Sequence, residues 1–508
     1  MKKVSLEYIV AAAHHRNHMG KRLSIPKDGF LFDIYNDKNR HISIMKSTQC
    51  GISEYLIVKS LVNTISGKNV LYVLPSYGLM GKFVKDRIDK SIFHTPAYQA
   101  VYLDIPHRFA ESVSMKQIGN GTIHFVGSNS ETSFISVPSD DIIIDELDSC
   151  DQVNILMAEE RQSASIDKSI IFVGNPTVTN RGIDKKYKDT CQKEWHVKCD
   201  RCGKYIVPDF FKHVMKQTGT SDWIVIDKSW DDKNDINAKT FCHLCGKPFN
   251  RFNKGKWIQL NPGNKNSGYH VSKMFSTQNT VNELIKRFSD GLSNDHAMQR
   301  FYNGDLGLPY VASGAKIDMQ MIQDCIDEKY NMPASSMEPC IAGIDVGGVF
   351  HIVISEAKNG KVVFIGELQV KNIKEVFDLF QKYNVRLFVI DALPETRIAR
   401  QIVALWKYGF MNYYSETKNE LTINAKDGIL SSNRTIALDA VKESIVLKSY
   451  VLPVNSKSIK GFFEQMTSST RIYDEDKNCF YWVESGPDHY LHAFCYMNLA
   501  KKLLVMAQ

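Results

Sequence analysis

The sequence predicts an α/β protein with more than one domain, and three observations support this prediction. Apolar strand-like segments alternate with helix-like segments from 42 to 174, which is typical of a parallel sheet covered by helices. A polar stretch between about 190 and 256 breaks this alternation and contains two pairs of cysteines. A second series of apolar strands opens at Cys340. At 508 residues the chain is also too long for one ordinary core.

The elements of the first series follow from apolar runs bounded by Gly, Pro and polar residues. In chain order they are strand 41–45, helix 53–65, strand 70–74, helix 79–89, strand 122–126, strand 142–145, helix 153–163 and strand 170–173.

Composition narrows the class of protein. There is no apolar run of the roughly 18 residues that a membrane helix needs, and no signal-type segment, so neither a membrane span nor secretion is predicted. Eleven cysteines with only two C-x-x-C pairs favour metal binding and free thiols over a disulfide framework. The net charge of +7 permits nucleic-acid binding without demonstrating it.

A phosphate-binding loop is predicted between the first strand and the first long helix, where backbone N–H groups and a helix N-terminus can hold phosphates. The usual pattern places its lysine directly before a Ser or Thr, whereas here Lys46 opens the loop and can reach the β- and γ-phosphates from that side. Alone, the segment is more consistent with a surface lysine and a Gly-containing turn before a helix. It consists of Lys46, Ser47, Thr48, Gln49, Cys50, Gly51, Ile52 and Ser53.

Strand 142–145 ends in the acidic pair that such a loop requires. Asp145 can hold Mg²⁺ through water, and Glu146 can polarise the water that attacks the γ-phosphate. Ser53 offers a hydroxyl to the same ion. Together with the loop, this pair predicts ATP binding and hydrolysis.

The two cysteine pairs predict a structural zinc site. Each pair is followed by Gly and Lys, and four thiolates leave a zinc ion no open position for catalysis. Four unrelated buried cysteines are improbable because the C-x-x-C-G-K pattern is duplicated. The predicted ligands are Cys199, Cys202, Cys242 and Cys245.

The C-terminal third presents three separate carboxylates. Asp345 and Asp391 each end an apolar strand, and Asp488 is expected in the first turn of an amphipathic helix. This order is that of RNase H-like nucleases, in which clustered carboxylates hold two Mg²⁺ or Mn²⁺ ions for phosphodiester hydrolysis. Each aspartate alone could instead be a helix cap. His489 and His492 could help to position the third ligand or a water molecule.

These motifs predict four segments. They are a P-loop ATPase domain at 1–189, an inserted zinc ribbon at 190–256, a connecting or lid subdomain with a linker at 257–337, and an RNase H-like nuclease domain at 338–508.

Taken together, these residues resemble the large terminase subunit of tailed bacteriophages, and most closely its lambda-type group, over nearly the whole chain. The loop with its lysine at the front is similar to the deviant Walker A motif of that group, and Asp145 and Glu146 match its Walker B aspartate and catalytic glutamate. Asp345, Asp391 and Asp488 fall where its nuclease acids lie. Other similar segments are the coupling motif at 174–177, the cysteine ribbon, and 268–272, 303–310 and 434–439.

The resemblance implies a viral packaging enzyme. Such a protein would bind concatemeric double-stranded DNA with a small terminase subunit, cut it, form a ring on the portal protein of a procapsid, and pump DNA inward by ATP hydrolysis. It implies ATP, Mg²⁺ (or Mn²⁺ in the nuclease site) and structural Zn²⁺ as cofactors, and the host cytoplasm rather than the mature virion as its location. Arg108 and Arg161 are candidates for an arginine that completes the ATP site of a neighbouring subunit.

Three alternatives stay open on the residues alone. A different ATP-dependent nuclease or helicase would need a second ATP-binding-like domain, where 340–508 offers carboxylates. A transposase- or integrase-like protein would have no use for Lys46 and Glu146. A zinc-ribbon DNA-binding assembly factor would carry decayed catalytic motifs and show neither activity.

Overall fold

Two units make up the chain, Met1–Ala312 and Ser313–Gln508, and each has its own buried apolar clusters. The finer division at 189, 256 and 337 stays a prediction. The computed structural model describes residues 7–103, 112–135, 137–219, 222–231, 236–312, 314–370, 373–415, 420–474 and 479–506.

The first unit is built around a mostly parallel sheet. Its strands in the described residues are β1 (His41–Lys46), β2 (Asn69–Leu74), β3 (Met115–Ile118), β4 (Gly121–Gly127), β5 (Asp141–Ile144), β6 (Ser169–Gly174), β7 (Lys193–Lys198), β8 (Tyr205–Ile206), β9 (Met215–Thr218), β10 (Asp222–Val225), β11 (Thr240–Phe241), β12 (Pro248–Phe249), β13 (Gly255–Gln259) and β14 (Ser267–Val271). Its α-helices are α1 (Tyr8–His14), α2 (Phe30–Asn36), α3 (Ile52–Ile65), α4 (Tyr77–Phe83), α5 (Asp89–His94), α6 (Pro96–Leu103), α7 (Gln152–Glu160), α8 (Gly182–Lys188), α9 (Phe210–His213), α10 (Val281–Gly291) and α11 (Asp295–Arg300).

The strand order of this sheet brings three strand ends together. The order is β13-β7-β14-β1-β6-β5-β2-β4-β3, with β8 paired to β7. The strands from β7 to β4 in this order run parallel, and β13 and β3 are antiparallel edges. Because β6 lies between β1 and β5, the carboxyl ends of these three strands are neighbours at one edge of the sheet, where open α/β sheets bind ligands.

The predicted alternation of strands and helices is confirmed. Each strand predicted between 41 and 173 is present, and neither of its ends differs from the prediction by more than one residue. The helix predicted at 79–89 is α4 followed by a π-helical segment, Val84–Ile88. The short antiparallel strands β9 to β12 follow from no pattern that the sequence shows.

The second unit contains a mixed sheet covered on one face by a long helix. Its strands in the described residues are β15 (Ile326–Asp327), β16 (Cys340–Val346), β17 (Val349–Glu356), β18 (Val362–Gln369), β19 (Val385–Asp391), β20 (Gly409–Ser415), β21 (Thr422–Asn424), β22 (Ile429–Asn433), β23 (Leu452–Pro453), β24 (Ser469–Asp474) and β25 (Cys479–Glu484). Its α-helices are α12 (Met319–Gln323), α13 (Ile373–Lys382), α14 (Thr396–Leu405), α15 (Arg434–Val446), α16 (Phe462–Thr467) and α17 (His489–Met506).

Strand directions in this sheet set the positions of the predicted acids. The order is β18-β17-β16-β19-β20-β22-β21. An antiparallel meander of β16, β17 and β18 joins a parallel set in which β16, β19, β20 and β22 are successive neighbours. The parallel pairing of β16 with β19 aligns Ile344 with Ile390, so the following aspartates lie side by side.

Helix α17 differs from the prediction in two respects. It begins at His489, so Asp488 precedes the helix instead of lying in its first turn. The helix is also buried over consecutive residues and is not amphipathic, because it packs on β16 and against α15 and α16. Gly343 of β16 permits this packing, since a Cβ atom there would clash with the Ala493 carbonyl oxygen. No helix among the described residues has the length and apolar character to cross a lipid bilayer.

Candidate functional site

The predicted phosphate loop connects β1 to α3. Lys46 is the last residue of β1, and Gly51 precedes α3 with φ of +82°, a left-handed conformation that glycine favours. The first N–H groups of a helix have no partner within the helix, so those at the start of α3 can meet an anion. Ile52 occupies the usual lysine position with 1% exposure, which limits it to its backbone amide.

The end of β14 and the segment at 303–310 hold the front of this loop. The Ser47 N–H donates to the Val271 carbonyl at 2.7 Å, and the Thr48 N–H donates to the Gly304 carbonyl at 2.8 Å. A Cβ at Gly307 would lie 2.8 Å from the Ser47 nitrogen, which explains the glycine in this segment. Two loop amides are therefore engaged by the protein itself, and contacts to a phosphate would fall to the amides nearer α3.

Lys46 connects the ends of three neighbouring strands. Its ammonium donates to Glu146 Oε1 at 2.8 Å, after β5, and to Asn175 Oδ1 at 2.9 Å, after β6. The lysine side chain is 6% exposed and that of Glu146 is 42% exposed. Burial alone would lower the pKa of Lys46, but the charges of Glu146 and Asp145 raise it above its usual value.

The two residues of the acidic pair differ: Asp145 is buried, and Glu146 has a strained backbone conformation. Asp145 is buried, and the Tyr72 hydroxyl donates to its Oδ2 at 2.9 Å. Burial, followed by the charge of Glu146, raises the pKa of Asp145 to about 6. Glu146 has φ of +54°, which is costly for a residue with a side chain and is found mainly at functional sites.

Asp148 is a supporting residue that the sequence motifs did not reveal. Its Oδ1 accepts from the Thr177 N–H at 2.9 Å and the Thr177 hydroxyl at 2.8 Å, and its Oδ2 accepts from the Ile183 N–H at 2.8 Å. Burial raises its pKa to about 6. Asp148 thus ties the acidic strand to the 174–177 turn and to α8. The sequence feature that could have revealed Asp148 is its position three residues after Asp145.

Of the two candidate arginines, Arg108 lies outside the described residues. Arg161 follows α7, where its Nε donates to the Met157 carbonyl at 3.3 Å and its Nη2 lies 3.8 Å from Glu160 Oε2. Both contacts are local, to residues at the end of α7.

The four predicted zinc ligands come together in space. Their four Sγ atoms all lie within 4.8 Å of one another. The Sγ atoms of Cys199 and Cys245 are 4.0 Å apart, and those of Cys202 and Cys242 are 3.9 Å apart. Each pair lies in the turn of a short hairpin, β7–β8 or β11–β12.

The two turns repeat the same hydrogen bonds. The glycine N–H donates to the first cysteine carbonyl at 2.8 Å, and the first cysteine N–H donates to the following lysine carbonyl at 2.9 Å. Gly203 and Gly246 have φ of +71° and +67°. The duplicated sequence is therefore a duplicated structure.

In the second unit, two of the three predicted nuclease acids lie side by side. Asp345 is near the end of β16 and Asp391 ends β19, in register as neighbouring parallel strands. Burial, followed by the charge of Asp345, raises the pKa of Asp391 to about 6. Asp345 is buried and Asp391 is partly buried, and a cation bound between two neighbouring carboxylates would offset their repulsion.

Asp488 is held by a different set of partners. Its Oδ2 accepts from the Ser469 hydroxyl at 2.8 Å, and it lies 3.3 Å from His492 Nε2 and 3.6 Å from Arg434 Nη2. Burial opposes ionisation of this carboxyl, but the hydrogen bond and charge of His492, with Arg434, lower its pKa to about 2. In this structure the Asp488 carboxylate is thus neutralised by protein cations.

The ligand atoms that cluster around Asp345 come from histidines. Among the described residues, Asp345, His351 and His489 each offer one ligand atom within 4.8 Å of the other two. His489 Nδ1 lies 2.9 Å from Asp345 Oδ2. His351 was not predicted from the sequence. The Gly347-Gly348 turn was the available signal, because a tight hairpin there places His351 opposite Asp345.

The first unit has a parallel sheet with a lysine, an acidic pair and a polar turn at adjoining strand ends, as in ATPases. The second unit has paired aspartates at strand ends, as in nucleases. Together, the two units define the class of two-domain ATPase–nucleases. Residues 31–264 match the family model "Phage terminase large subunit gpA, ATPase domain", and residues 266–349 match "Terminase large subunit gpA, endonuclease domain". The chain belongs to the phage terminase large subunit gpA family, with an ATPase domain and an endonuclease domain. No curated protein matches the chain.

Solved structures of large terminases are similar to parts or most of the chain. The large terminase from a thermophilic bacteriophage has 13% identity, covers 92% of this chain and 94% of that chain, and gives a TM-score of 0.30. The ATPase domain of the Thermus phage P74-26 large terminase has 10% identity, 56% and 94% coverage, and a TM-score of 0.33. The large terminase nuclease from the thermophilic phage G20c has 12% identity, 37% and 96% coverage, and a TM-score of 0.26.

Proposed function

We propose that this terminase large subunit cuts concatemeric double-stranded DNA and drives its ATP-dependent translocation through the portal into a procapsid in the host cytoplasm. The observation that carries the proposal is the contact of Lys46 with both Glu146 and Asn175 at three adjoining strand ends. Its partners in this role are a small terminase subunit, the portal protein and further copies of the chain in a ring.

At the ATP site, Lys46 neutralises the β- and γ-phosphates, and the amides from Gln49 to Ser53 hold them at the start of α3. Ser53 and Asp145 are the residues that would hold Mg²⁺, which supplies further neutralisation of the triphosphate. When its lysine turns to a phosphate, Glu146 is freed from the 2.8 Å ion pair to orient the attacking water. Asn175 then loses its hydrogen bond to Lys46, so phosphate binding by Lys46 alters the contacts of the 174–177 turn.

At the nuclease site, Asp345 and Asp391 are the residues that would hold Mg²⁺ or Mn²⁺, which would activate water and stabilise the leaving oxygen. The raised pKa of Asp391 supports this assignment, because a cation offsets the repulsion between the two carboxylates. To bind a metal ion, the Asp488 carboxylate would have to replace its contacts with Arg434 and His492 by a bond to the metal. The strand order of the sheet supports the RNase H-like assignment.

We propose that Cys199, Cys202, Cys242 and Cys245 hold one structural Zn²⁺ in a ribbon. Tetrahedral zinc with bonds of about 2.3 Å places its sulfurs about 3.8 Å apart. The measured separations of 3.9 and 4.0 Å fit this geometry.

Two single substitutions in the full chain test the two activities in parallel. Glu146→Gln keeps a hydrogen-bonding partner for Lys46 but removes the base, so DNA-stimulated ATP hydrolysis should fall by roughly 10²–10⁴-fold while plasmid cleavage persists. Asp345→Asn should abolish plasmid cleavage in Mg²⁺ or Mn²⁺ and leave ATP hydrolysis unchanged.

The exposed carboxylate of Asp378 on α13 provides a matched control, and Asp378→Asn should retain both activities. Cleavage by Asp345→Asn at the wild-type rate would show that the nuclease site lies elsewhere. Undiminished ATP turnover by Glu146→Gln would remove Glu146 from the mechanism. Translocation is measured separately, as protection of DNA from added nuclease in a reaction with procapsids and the small subunit.

A further inference from the structure

A cavity of about 390 Å³ lies in the first unit, at the edge of the sheet opposite the proposed ATP site. Its wall includes Arg40, Lys68 and Ser169, which precede or open β1, β2 and β6. Because these strands are parallel, their amino ends lie at the edge away from Lys46. The cavity has the size of a small-molecule site, and its described lining residues belong to no predicted site.

Lys59 of α3 contributes a buried cation to the wall of this cavity. The residue is 3% exposed, and its Nζ donates to the Tyr55 hydroxyl at 3.4 Å and lies 5.0 Å from the centre of the Tyr8 ring. An ammonium group has three N–H donors, and within the described residues no further acceptor and no carboxylate is bound to this one. Burial without such a partner lowers the pKa of Lys59 to about 8.

The nearest carboxylates do not compensate for this buried charge, because each is bound to another lysine. Asp141 Oδ1 accepts from Lys68 Nζ at 3.2 Å, and Asp37 Oδ2 accepts from Lys193 Nζ at 3.2 Å. Both carboxylates raise the pKa of Lys59, but the effect of burial is larger. A buried charge without a partner is costly, so an anion in the cavity would relieve this cost.

The rest of the wall favours an anion with a single charge and an apolar body. Tyr8, Tyr35 and Val62 supply two aromatic rings and an aliphatic side chain. A second negative charge would find no further buried cation, since Lys68 is already paired with two carboxylates. Basic side chains nevertheless outnumber acidic ones around the cavity, and the charged lining residues are Lys38, Arg40, Lys59, Lys68, Glu7 and Asp167.

We propose that this cavity binds a small organic monocarboxylate, whose acidic group pairs with Lys59 and whose apolar part packs against Tyr8, Tyr35 and Val62. The carboxylate supplies the acceptors that the ammonium lacks, and a charge-assisted hydrogen bond is stronger in a buried site than in water. Inorganic phosphate offers no apolar surface and should bind more weakly. Binding requires neither nucleotide nor DNA, so it is independent of the proposed ATPase and nuclease activities.

The test is a titration of the full chain with benzoate, followed by saturation-transfer NMR of the benzoate protons. Benzamide has nearly the same shape without the charge, and it should bind the wild type at least about tenfold more weakly. Lys59→Met keeps the length of the side chain but removes its charge. This substitution should weaken benzoate binding by at least about tenfold and leave benzamide binding little changed.

An exposed lysine in the same unit supplies the matched control, and Lys85→Met should bind benzoate like the wild type. Ser66→Phe adds a ring to the less buried part of the cavity wall and should block benzoate and benzamide alike. This second variant keeps the test valid if Lys59→Met does not fold, which circular dichroism checks.

Four outcomes would overturn the proposal. Undetectable benzoate binding by the wild type, or equal benzoate affinity in the wild type and Lys59→Met, would refute the site. Equal affinity for benzoate and benzamide would show that water alone satisfies the Lys59 ammonium. Displacement of benzoate by inorganic phosphate at equal affinity would refute the selection of a monocarboxylate.

Discussion

Asp488 and His492 form a largely buried ion pair, and its contribution to stability is lost both at low pH and at high pH. The folded pKa of Asp488, about 2, is below its usual value, so this stabilisation is present above about pH 4 and is lost as the pH falls towards 2. Burial opposes the charge on His492, but the hydrogen bond and charge of Asp488 raise its pKa to about 10. Its stabilisation is complete below about pH 6.5 and is lost as the pH rises towards 10.

Asp488→Asn should therefore destabilise the second unit most strongly between about pH 4 and 6.5. Removing one partner leaves a buried charge uncompensated, and we expect a loss of about 3 kcal/mol in the free energy of unfolding at pH 6. The difference from wild type should shrink towards pH 2 and towards pH 10. Calorimetry across this range measures it, with Asp378→Asn as the exposed control. A difference that is constant with pH would contradict the ion pair.

Individual residues show which parts of the sites the sequence could predict. Lys46, Asp145 and Glu146 were found because local motifs place them at strand ends, and the structure brings them together. The bond of Lys46 to Asn175 was not predictable, because it depends on β6 inserting between β1 and β5. The Asp488 partner Arg434 was likewise hidden, since α15 is remote in sequence.

Among the elements, we expect β8 and the hairpin β11–β12 to depend on the cysteine cluster. Strands β8, β11 and β12 have two residues each, and β11–β12 is a separate two-stranded sheet, which in isolation is marginal in water. A shared zinc ion would tie them together, and β7 would connect the ion to the central sheet. Loss of the ion should therefore loosen this module before it affects the rest of the sheet.

Metal analysis of the chain purified without chelator should find about one zinc per chain, and Cys245→Ser should lower this value. Hydrogen exchange in the variant should increase at both hairpins while β1, β5 and β6 stay protected. Cys479→Ser removes an exposed cysteine elsewhere and should keep full zinc content. A metal-free wild type with both hairpins protected would contradict a structural zinc.

The prediction of helices and strands succeeded where the spacing of apolar residues and the bounding Gly, Pro and polar residues agree, as for β1, α3 and β5. It failed where a strand exists only through a distant partner. The two residues of β15 pair with β23, and no local pattern marks either. Helix α17 shows the same limit, because its burial on all sides is decided by the sheet and helices around it and not by its own sequence period.

At the scale of the whole molecule, the two units carry separate cores and separate sites. The first unit buries its apolar residues around α3 and the parallel sheet, and the second around β16 and α17. Ligands of each site therefore act first on the unit that binds them. The ATPase family model matches residues 31–264, inside the first unit, whereas the endonuclease model matches 266–349 and crosses the boundary between the units at 312.

Calorimetry of the full chain should show two unfolding transitions that respond to different ligands. A ligand present at about 100 times its dissociation constant stabilises the folded state by about 2.7 kcal/mol. This raises the unfolding midpoint by roughly 4 °C for the larger first unit and by roughly 6 °C for the second. ATP with Glu146→Gln, which binds without turnover, should raise only the transition of Met1–Ala312. Mn²⁺ without nucleotide should raise only that of Ser313–Gln508, and Asp345→Asn should remove this shift. A single transition that both ligands shift equally would show that the two units unfold together.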